Sequence, residues 1–374
     1  MKFIFLSAVL FLSTTIFSQK SDIKGNVKSI REKVISIEKE VYPKSTKEVT
    51  YIPLSGEYGE FGIINPRNTE KKFRITWIDD IHNSYINYKK EFNQKGLLTN
   101  ETWYYSNKKI AYRWEYSYNK NDSLIQNKKF FGDNTDFTAY NITYDYQNRR
   151  KSEFHIASDN PNYGSMIIYE YDLNSNIKKI SMYSSERGYE NSAINFYNTN
   201  NKGTDVKIHV PYTYQKNEDG SYSARNDSVG TLYQRKKYIY DDKGMLTEIL
   251  RYRNYEYNAK NELSNRIIYK YDKLNNLIEE SYANPDTVSN SKFYSYNEKK
   301  QKIRYVYKSK YDNIEIDYIY DNNLLIGINY KNKEQYYTII YKYKFDKKGN
   351  WVKQIKFVNG KPKHILKRKI KYFN

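Results

Sequence analysis

"YKYDKLNNLIEESY", residues 269–282, sets Tyr269 and Tyr271 two positions apart, then Asp272, a Leu-Asn-Asn turn and a short apolar run. The same order recurs in "YEYDLNSNIKKISMY" at 169–183 and "YIYDDKGMLTEILRY" at 238–252. A period of two puts the rings on one face of a strand. Aligning on the residue after the last aromatic gives anchors Asn93, Asn119, Gln147, Asp172, Asn198, Asp241, Asp272, Asn297, Asp321 and Asp346. Most are about 25 residues apart, the spacing of a repeat architecture.

The residue before each anchor is aromatic: Phe92, Tyr118, Tyr146, Tyr171, Tyr197, Tyr240, Tyr271, Tyr296, Tyr320 and Phe345. Asp or Asn at the anchor can accept from backbone N–H groups just ahead and start a type I turn. Gly96, Asp122, Asn201, Gly244, Asn275 and Gly349 follow three positions later. These residue types enter the left-handed region most cheaply. Leu98, Leu124, Ile177, Leu246, Leu277, Ile326 and Trp351 then begin a return strand. Each repeat is therefore expected to be a β-hairpin. The expected fold is all-β, with tandem hairpins of about 25 residues stacked into a long, twisted, solenoid-like antiparallel sheet.

"KGNVKSI" at 24–30 echoes "KGNWVKQI" at 348–355, so residues 24–37 read as a return strand without its partner, a cap. The spacing of Ile23, Val27, Ile30, Val34, Ile37 and Val41 leaves a helix as the alternative. Three stretches interrupt the rhythm: 55–71, 210–230 and 251–266. Insertions in repeat arrays map to loops on one face, often a binding face; longer uninvolved hairpins are the other reading.

The chain has 374 residues, no cysteine, 44 tyrosines and 16 phenylalanines. So many aromatics exclude a disordered polymer, and tyrosine suits thin sheets because it buries a ring while its hydroxyl stays wet. The formal charge of +20 comes from lysines spread along the chain. That pattern fits a solvated face and argues against nucleic acid, whose footprint clusters. "MKFIFLSAVLFLSTTIFSQK" reads as a secretory signal over 1–18, so the protein is expected to be exported. Residues 19–84 would then hold cap strands and a loop, and 85–374 the hairpin array. No later segment resembles a transmembrane helix.

"YEYDLNSNI", "YIYDDKGML", "YKYDKLNNLIEE" and "YKFDKKGNWVK" resemble the YD repeats of the Rhs family, over most of residues 85–358. The resemblance implies hairpins that spiral into a shell, which in large members encloses a cargo. No core segment of the large members and no toxin domain is visible, so it carries the repeat fold and not the delivery role. It places Tyr118, Tyr146, Tyr171, Asp172, Tyr240, Asp241, Gly244, Tyr271, Asp272, Tyr296, Tyr320, Asp321, Asp346 and Gly349 in structural repeat positions.

No catalytic constellation stands out. His82, His155, His209 and His364 lack metal-ligand spacing, and no phosphate loop or nucleophile elbow occurs. No cofactor or metal is expected. Exposed rings are the feature with binding chemistry, and Trp77, Trp103, Trp114 and Trp351 are the candidates for stacking on sugar. The expected function is a non-enzymatic exported scaffold or binding protein of the cell envelope, with glycan or another envelope protein as partner. The alternative is an envelope hydrolase with carboxylates from the inserted loops. An outer-membrane barrel is disfavoured, because its lipid face would be mostly tyrosine.

Overall fold

The computed structural model describes residues 23–37, 87–104, 108–158, 164–185, 188–198, 200–216, 222–253, 262–285, 287–334 and 336–374. The signal, the 55–71 loop and Trp77 lie outside these residues. Strands are β1 Val27–Ser36, β2 Asn87–Phe92, β3 Leu98–Tyr104, β4 Ile110–Tyr118, β5 Leu124–Phe131, β6 Phe137–Tyr144 and β7 Arg150–Ala157. They continue as β8 Gly164–Tyr171, β9 Ile177–Ser184, β10 Gly188–Tyr197, β11 Gly203–Lys216, β12 Tyr222–Tyr240, β13 Leu246–Arg253 and β14 Glu262–Tyr271. The last are β15 Leu277–Ala283, β16 Val288–Tyr296, β17 Lys302–Ser309, β18 Asn313–Asp321, β19 Leu324–Lys331, β20 Tyr336–Phe345, β21 Trp351–Val358 and β22 Lys361–Tyr372. Among the described residues no helix forms.

Each strand pairs antiparallel with its sequence neighbours, and β1 pairs with both β2 and β22. The 22 strands therefore close into a barrel. The expectation of an open, solenoid-like sheet is corrected, and so is the unpartnered cap over 24–37. Right-handed twist curls a long array of strands, and closure removes both exposed edges, which an open ribbon would leave as sites for aggregation. A circular wall of this strand number at the usual spacing and tilt is about 40 Å across.

β1 supplies the closing edge because it is half of an ordinary repeat. Tyr372 pairs with Val27 as Phe345 pairs with Trp351. The Phe373 N–H donates to the Asn26 carbonyl (2.9 Å), as the Asp346 N–H donates to Asn350 (2.8 Å). Gly25 and Gly349 sit at φ +97° and +75° in matching places. β22 and β1 are thus the forward and return strands of an eleventh hairpin whose turn is split between the two ends of the chain. Ile23, Val27, Ile30, Phe92 and Leu98 form its core, with Tyr116, Ile370 and Tyr372 against them.

The tight turns follow one design. At Asn93, Asn119, Asp145, Asp172, Asn198, Asp241, Asp272, Asn297 and Asp346 the backbone N–H donates to the carbonyl four residues on. The N–H three residues on donates back. That third position has φ between +57° and +81° in all nine, including every Gly, Asp and Asn expected there. Asp272 Oδ1 accepts from the N–H of Leu274 and Asn276 at 2.8 Å each. The Asn276 amide and these N–H groups hold the Asp272 carboxyl below its ordinary range. Asp321 departs from the design: it pairs with Leu324 across a two-residue turn, with Asn322 at φ +52°.

The third anchor is corrected from Gln147 to Asp145. Tyr146, expected in a repeat-structural position, lies at the turn tip with 92% of its surface exposed. Tyr144 takes the place before the anchor. An aspartate oxygen reaches the turn amides (Asp145 Oδ1 to Gln147 N 3.0 Å, to Arg149 N 2.9 Å), whereas the longer glutamine side chain is poorly placed to do so.

The bonding of the rings explains why tyrosine rather than phenylalanine precedes the anchor. The return strand starts with a bulge, where two residues oppose one. The hydroxyl of the next repeat's tyrosine donates to the carbonyl at that bulge. Tyr118 reaches Leu98, Tyr144 Leu124, Tyr171 Arg150 and Tyr240 Gly203, all at 2.7 Å. Tyr197 reaches Ile177 (2.8 Å), Tyr271 Leu246 (2.9 Å) and Tyr296 Leu277 (3.0 Å). Where Phe345 has no hydroxyl, Tyr343 two residues earlier donates to Leu325 (2.8 Å). Tyr271→Phe should lower stability by about 1 kcal/mol, the net worth of one such bond. Adding Tyr118→Phe should double the loss, since the sites are distant. Urea midpoints read both, and an unchanged midpoint in the double variant would show that the latch is idle.

Candidate functional site

Cross-strand pairing assigns one set of side chains to a common face of the wall. Tyr238 opposes Ile249, which opposes Ile267. Tyr269 opposes Glu280, and Glu280 opposes Lys292. Tyr294 opposes Tyr305, Tyr305 opposes Ile316, and Tyr318 opposes Ile328. The opposite face carries charged pairs such as Arg235–Asp205, Lys270–Glu279 and Arg304–Glu315. Near the seam the tyrosine-bearing face is packed tightly, with Tyr337, Ile339, Tyr341 and Val358 buried. From β12 to β18, Tyr238, Tyr269, Tyr294, Tyr305 and Tyr318 stay half-buried. A wall one sheet thick can cover a ring only with its neighbours on the same face.

Carboxylates on this face are held by phenols and cations. Glu280 accepts from the Tyr282 hydroxyl, from Tyr294 (3.2 Å) and from Lys292 Nζ (3.3 Å). Burial, then the Glu280 charge, pushes Tyr269 up to about 12 and raises Tyr294. Burial pulls Lys292 down, but its bond to Tyr282 and the charge of Glu280 outweigh that and leave it raised. Glu153 accepts from Arg150 (2.5 Å) and Tyr169 (3.0 Å). Tyr140 beside it stacks on His155 with centroids 4.3 Å apart and 11° between planes. All these tyrosines are protonated donors at neutral pH, so the face presents hydroxyl groups.

The tryptophans fall in different surroundings. Trp103 has no exposed surface and donates its Nε1–H to Glu101 (2.7 Å). Its expected stacking on sugar is corrected: the ring is core, 4.9 Å from Tyr88. Trp351 is half-buried beneath the Arg368 guanidinium at 3.5 Å, with Tyr343 on its edge. Trp114 is half-buried against Tyr112, and Lys129 Nζ sits 5.4 Å from its ring. Lys129 also lies over Tyr112 (5.0 Å) and Phe131 (4.6 Å). Burial lowers Lys129 to about 8, while three electron-rich ring faces favour its charged form. Tryptophan is therefore a poor guide to the accessible rings. Those are tyrosines of the repeat itself, which the Tyr-x-Tyr period already places on one face.

Among the described residues no three His, Asp or Glu side chains gather as a metal site. His155 is lowered by burial and engaged with Tyr140, and His364 is buried opposite Lys356. The irregular insertions share one rim. Residues 210–216 and 222–231 extend β11 and β12 into a ribbon beyond the last pairings of β10 and β13. The end of β1, the start of β2, the end of β13 and the start of β14 lie on that same rim, opposite the tight turns.

No family model matches the chain, and no curated protein matches it. Solved structures give distant matches. A crystal structure of TcdB2-TccC3-Cdc42 has 11% identity and a TM-score of 0.31. The match spans 75% of this chain but 16% of that one. A porin-like protein from Bacteroides uniformis has 9% identity and a TM-score of 0.24, over 70% of this chain and 95% of that one. One from Bacteroides vulgatus has 11% identity and a TM-score of 0.20, over 71% and 97%.

Proposed function

We propose that the protein is a non-enzymatic, exported β-barrel of the cell envelope that binds glycan on its tyrosine-bearing face. The observation that carries this reading is the run of half-exposed phenols from Tyr238 to Tyr318, interleaved with Lys292 and Arg251. Flat rings with hydroxyl edges suit sugar, because they offer an apolar face and a hydrogen-bonding rim together. The turn and latch geometry supports kinship of the repeats with the YD type. The hydrolase alternative requires a pair of carboxylates free to act on a sugar bond. The inserted loops that would supply such a pair lie partly outside the described residues; on the tyrosine face itself Glu280 and Glu153 are engaged with phenols and cations.

The test is a glycan array with the mature protein at low salt. Binding is expected, and Tyr294→Ala with Tyr305→Ala should weaken it at least about tenfold, a loss of about 1.4 kcal/mol. No binder on the array would leave only a structural role.

A second reading is an integral outer-membrane barrel. Closure, an even strand number and tight turns on one rim favour it. Against it stand charges on both faces: Glu280 and Lys292 on one, Lys342, Lys344, Lys367 and Lys369 on the other. Extraction from envelopes by high salt or carbonate supports the soluble form, and a strict detergent requirement the membrane form.

A further inference from the structure

Arg251 lies in β13 on the tyrosine-bearing face, directly opposite Lys236 in β12 and Asn265 in β14. Two cations facing each other across an antiparallel pair repel. Burial and the neighbouring Arg251 charge lower Lys236. Several other cations on this face meet carboxylates: Arg368 with Glu32, Arg150 with Glu153, Lys292 with Glu280. Arg251 forms no such pair among the described residues. Its Nε is buried without a hydrogen-bond partner among the described residues.

Among the described residues, the carboxylates on the neighbouring strands are engaged or turned to solvent. Glu280, two strands away, is held by Tyr282, Tyr294 and Lys292. Asp205 is held by Arg235, on the other face of the wall. Glu262 opposes Arg253 at the end of the ladder and is exposed. On the same face, Tyr238 is the diagonal cross-strand neighbour of Arg251, and Tyr269 stands four residues along β14 from Asn265. One face here carries a guanidinium fork, an ammonium and two protonated hydroxyls. A half-buried guanidinium whose buried Nε lacks an acceptor among the described residues is what an oxyanion completes, and the planar fork suits carboxylate, sulfate or phosphate oxygens in pairs.

We propose that Arg251, with Lys236 and the hydroxyls of Tyr238 and Tyr269, forms a subsite for a small oxyanion, the acidic group of the ligand that the tyrosine face takes up. This deepens the glycan reading and rests on it, yet the two can fail separately. Inorganic sulfate probes the subsite without any sugar. A neutral glycan probes the face without the subsite.

The experiment uses the mature full-length protein at fixed ionic strength, balanced with chloride. Sulfate titrated by calorimetry should bind at one saturable site, and Arg251→Gln should abolish that binding. Arg266→Gln, a control on the opposite face, should keep it. Glucuronate and glucose 6-phosphate as further arms separate a carboxylate from a phosphate source. If Arg251→Gln fails to fold, Arg251→Lys retains the charge without the fork and should weaken sulfate at least about tenfold. Sulfate binding that survives in Arg251→Gln, sulfate binding that Arg251→Lys leaves unweakened, or no saturable sulfate binding in the parent, overturns the subsite. Glycan binding with no sulfate binding overturns the subsite alone.

Discussion

Removing residues 361–374 is expected to abolish the folded barrel. β22 is the forward strand of the split hairpin and pairs on one side with β21 and on the other with β1. Its loss breaks both ladders and exposes two long edges, on β21 and β1. It also removes Leu366, 2% exposed in the intact wall, and strips Ile370 and Tyr372 from the seam core. The whole net stability of a domain is about 5–15 kcal/mol, and two ladders with their shared core exceed that margin. The truncated chain should lose its cooperative melt by circular dichroism and elute as aggregates, because unpaired edges recruit other strands. A permuted chain separates this from general damage. Tyr372 joined directly to Asp22, with new ends opened within 55–71, makes the eleventh turn continuous and repeats the order Phe345-Asp346-Lys347-Lys348-Gly349-Asn350. That chain should fold and melt cooperatively. A truncated protein that stays monomeric with an unchanged melt would show that β22 does not close the barrel.

This closure marks where the sequence stops being legible. The hairpins can be read because each rests on local chemistry: a period of two, an Asx anchor, and a residue tolerant of positive φ three positions later. The same logic identifies 24–37 as a return strand. It cannot say that the missing forward strand lies some 340 residues away, since pairing between distant segments leaves no local trace. Tyr372-Phe373-Asn374 offers a faint signal, the Tyr-x-polar ending of a repeat. The misplacement of Tyr146 has a similar root. Counting aromatics favours Tyr146-Gln147, but the shorter aspartate at 145 decides where the chain bends. The candidate face is legible as a row of tyrosines. That Arg251 stands among them with no carboxylate partner among the described residues is not, because ladder register, not sequence distance, sets which charges meet.

Arg368→Ala is expected to cost about 3–5 kcal/mol, several times the loss of a tyrosine latch. Glu32 has no exposed side chain, and Arg368 has 8%. The Arg368 Nε donates to Glu32 Oε1 at 2.5 Å while its guanidinium covers Trp351 at 3.5 Å. Truncation at 368 therefore strands a buried carboxylate, removes the cover from an indole and weakens the β1–β22 ladder where the barrel closes. Urea unfolding monitored by tryptophan fluorescence reads the loss, and Trp351 reports it directly. Replacing both partners tells the two contributions apart. Glu32→Leu with Arg368→Met removes the buried charges together and keeps side-chain volume over Trp351. It should recover most of the stability, because two desolvated ions contribute less than well-packed apolar groups of like size. If Arg368→Ala unfolds within about 1 kcal/mol of the parent, a value typical of exposed ion pairs, then Glu32 is reached by water and the seam is held by the ladder alone. If instead the double variant is as unstable as the single one, the pair itself specifies the register in which the two ends of the chain meet.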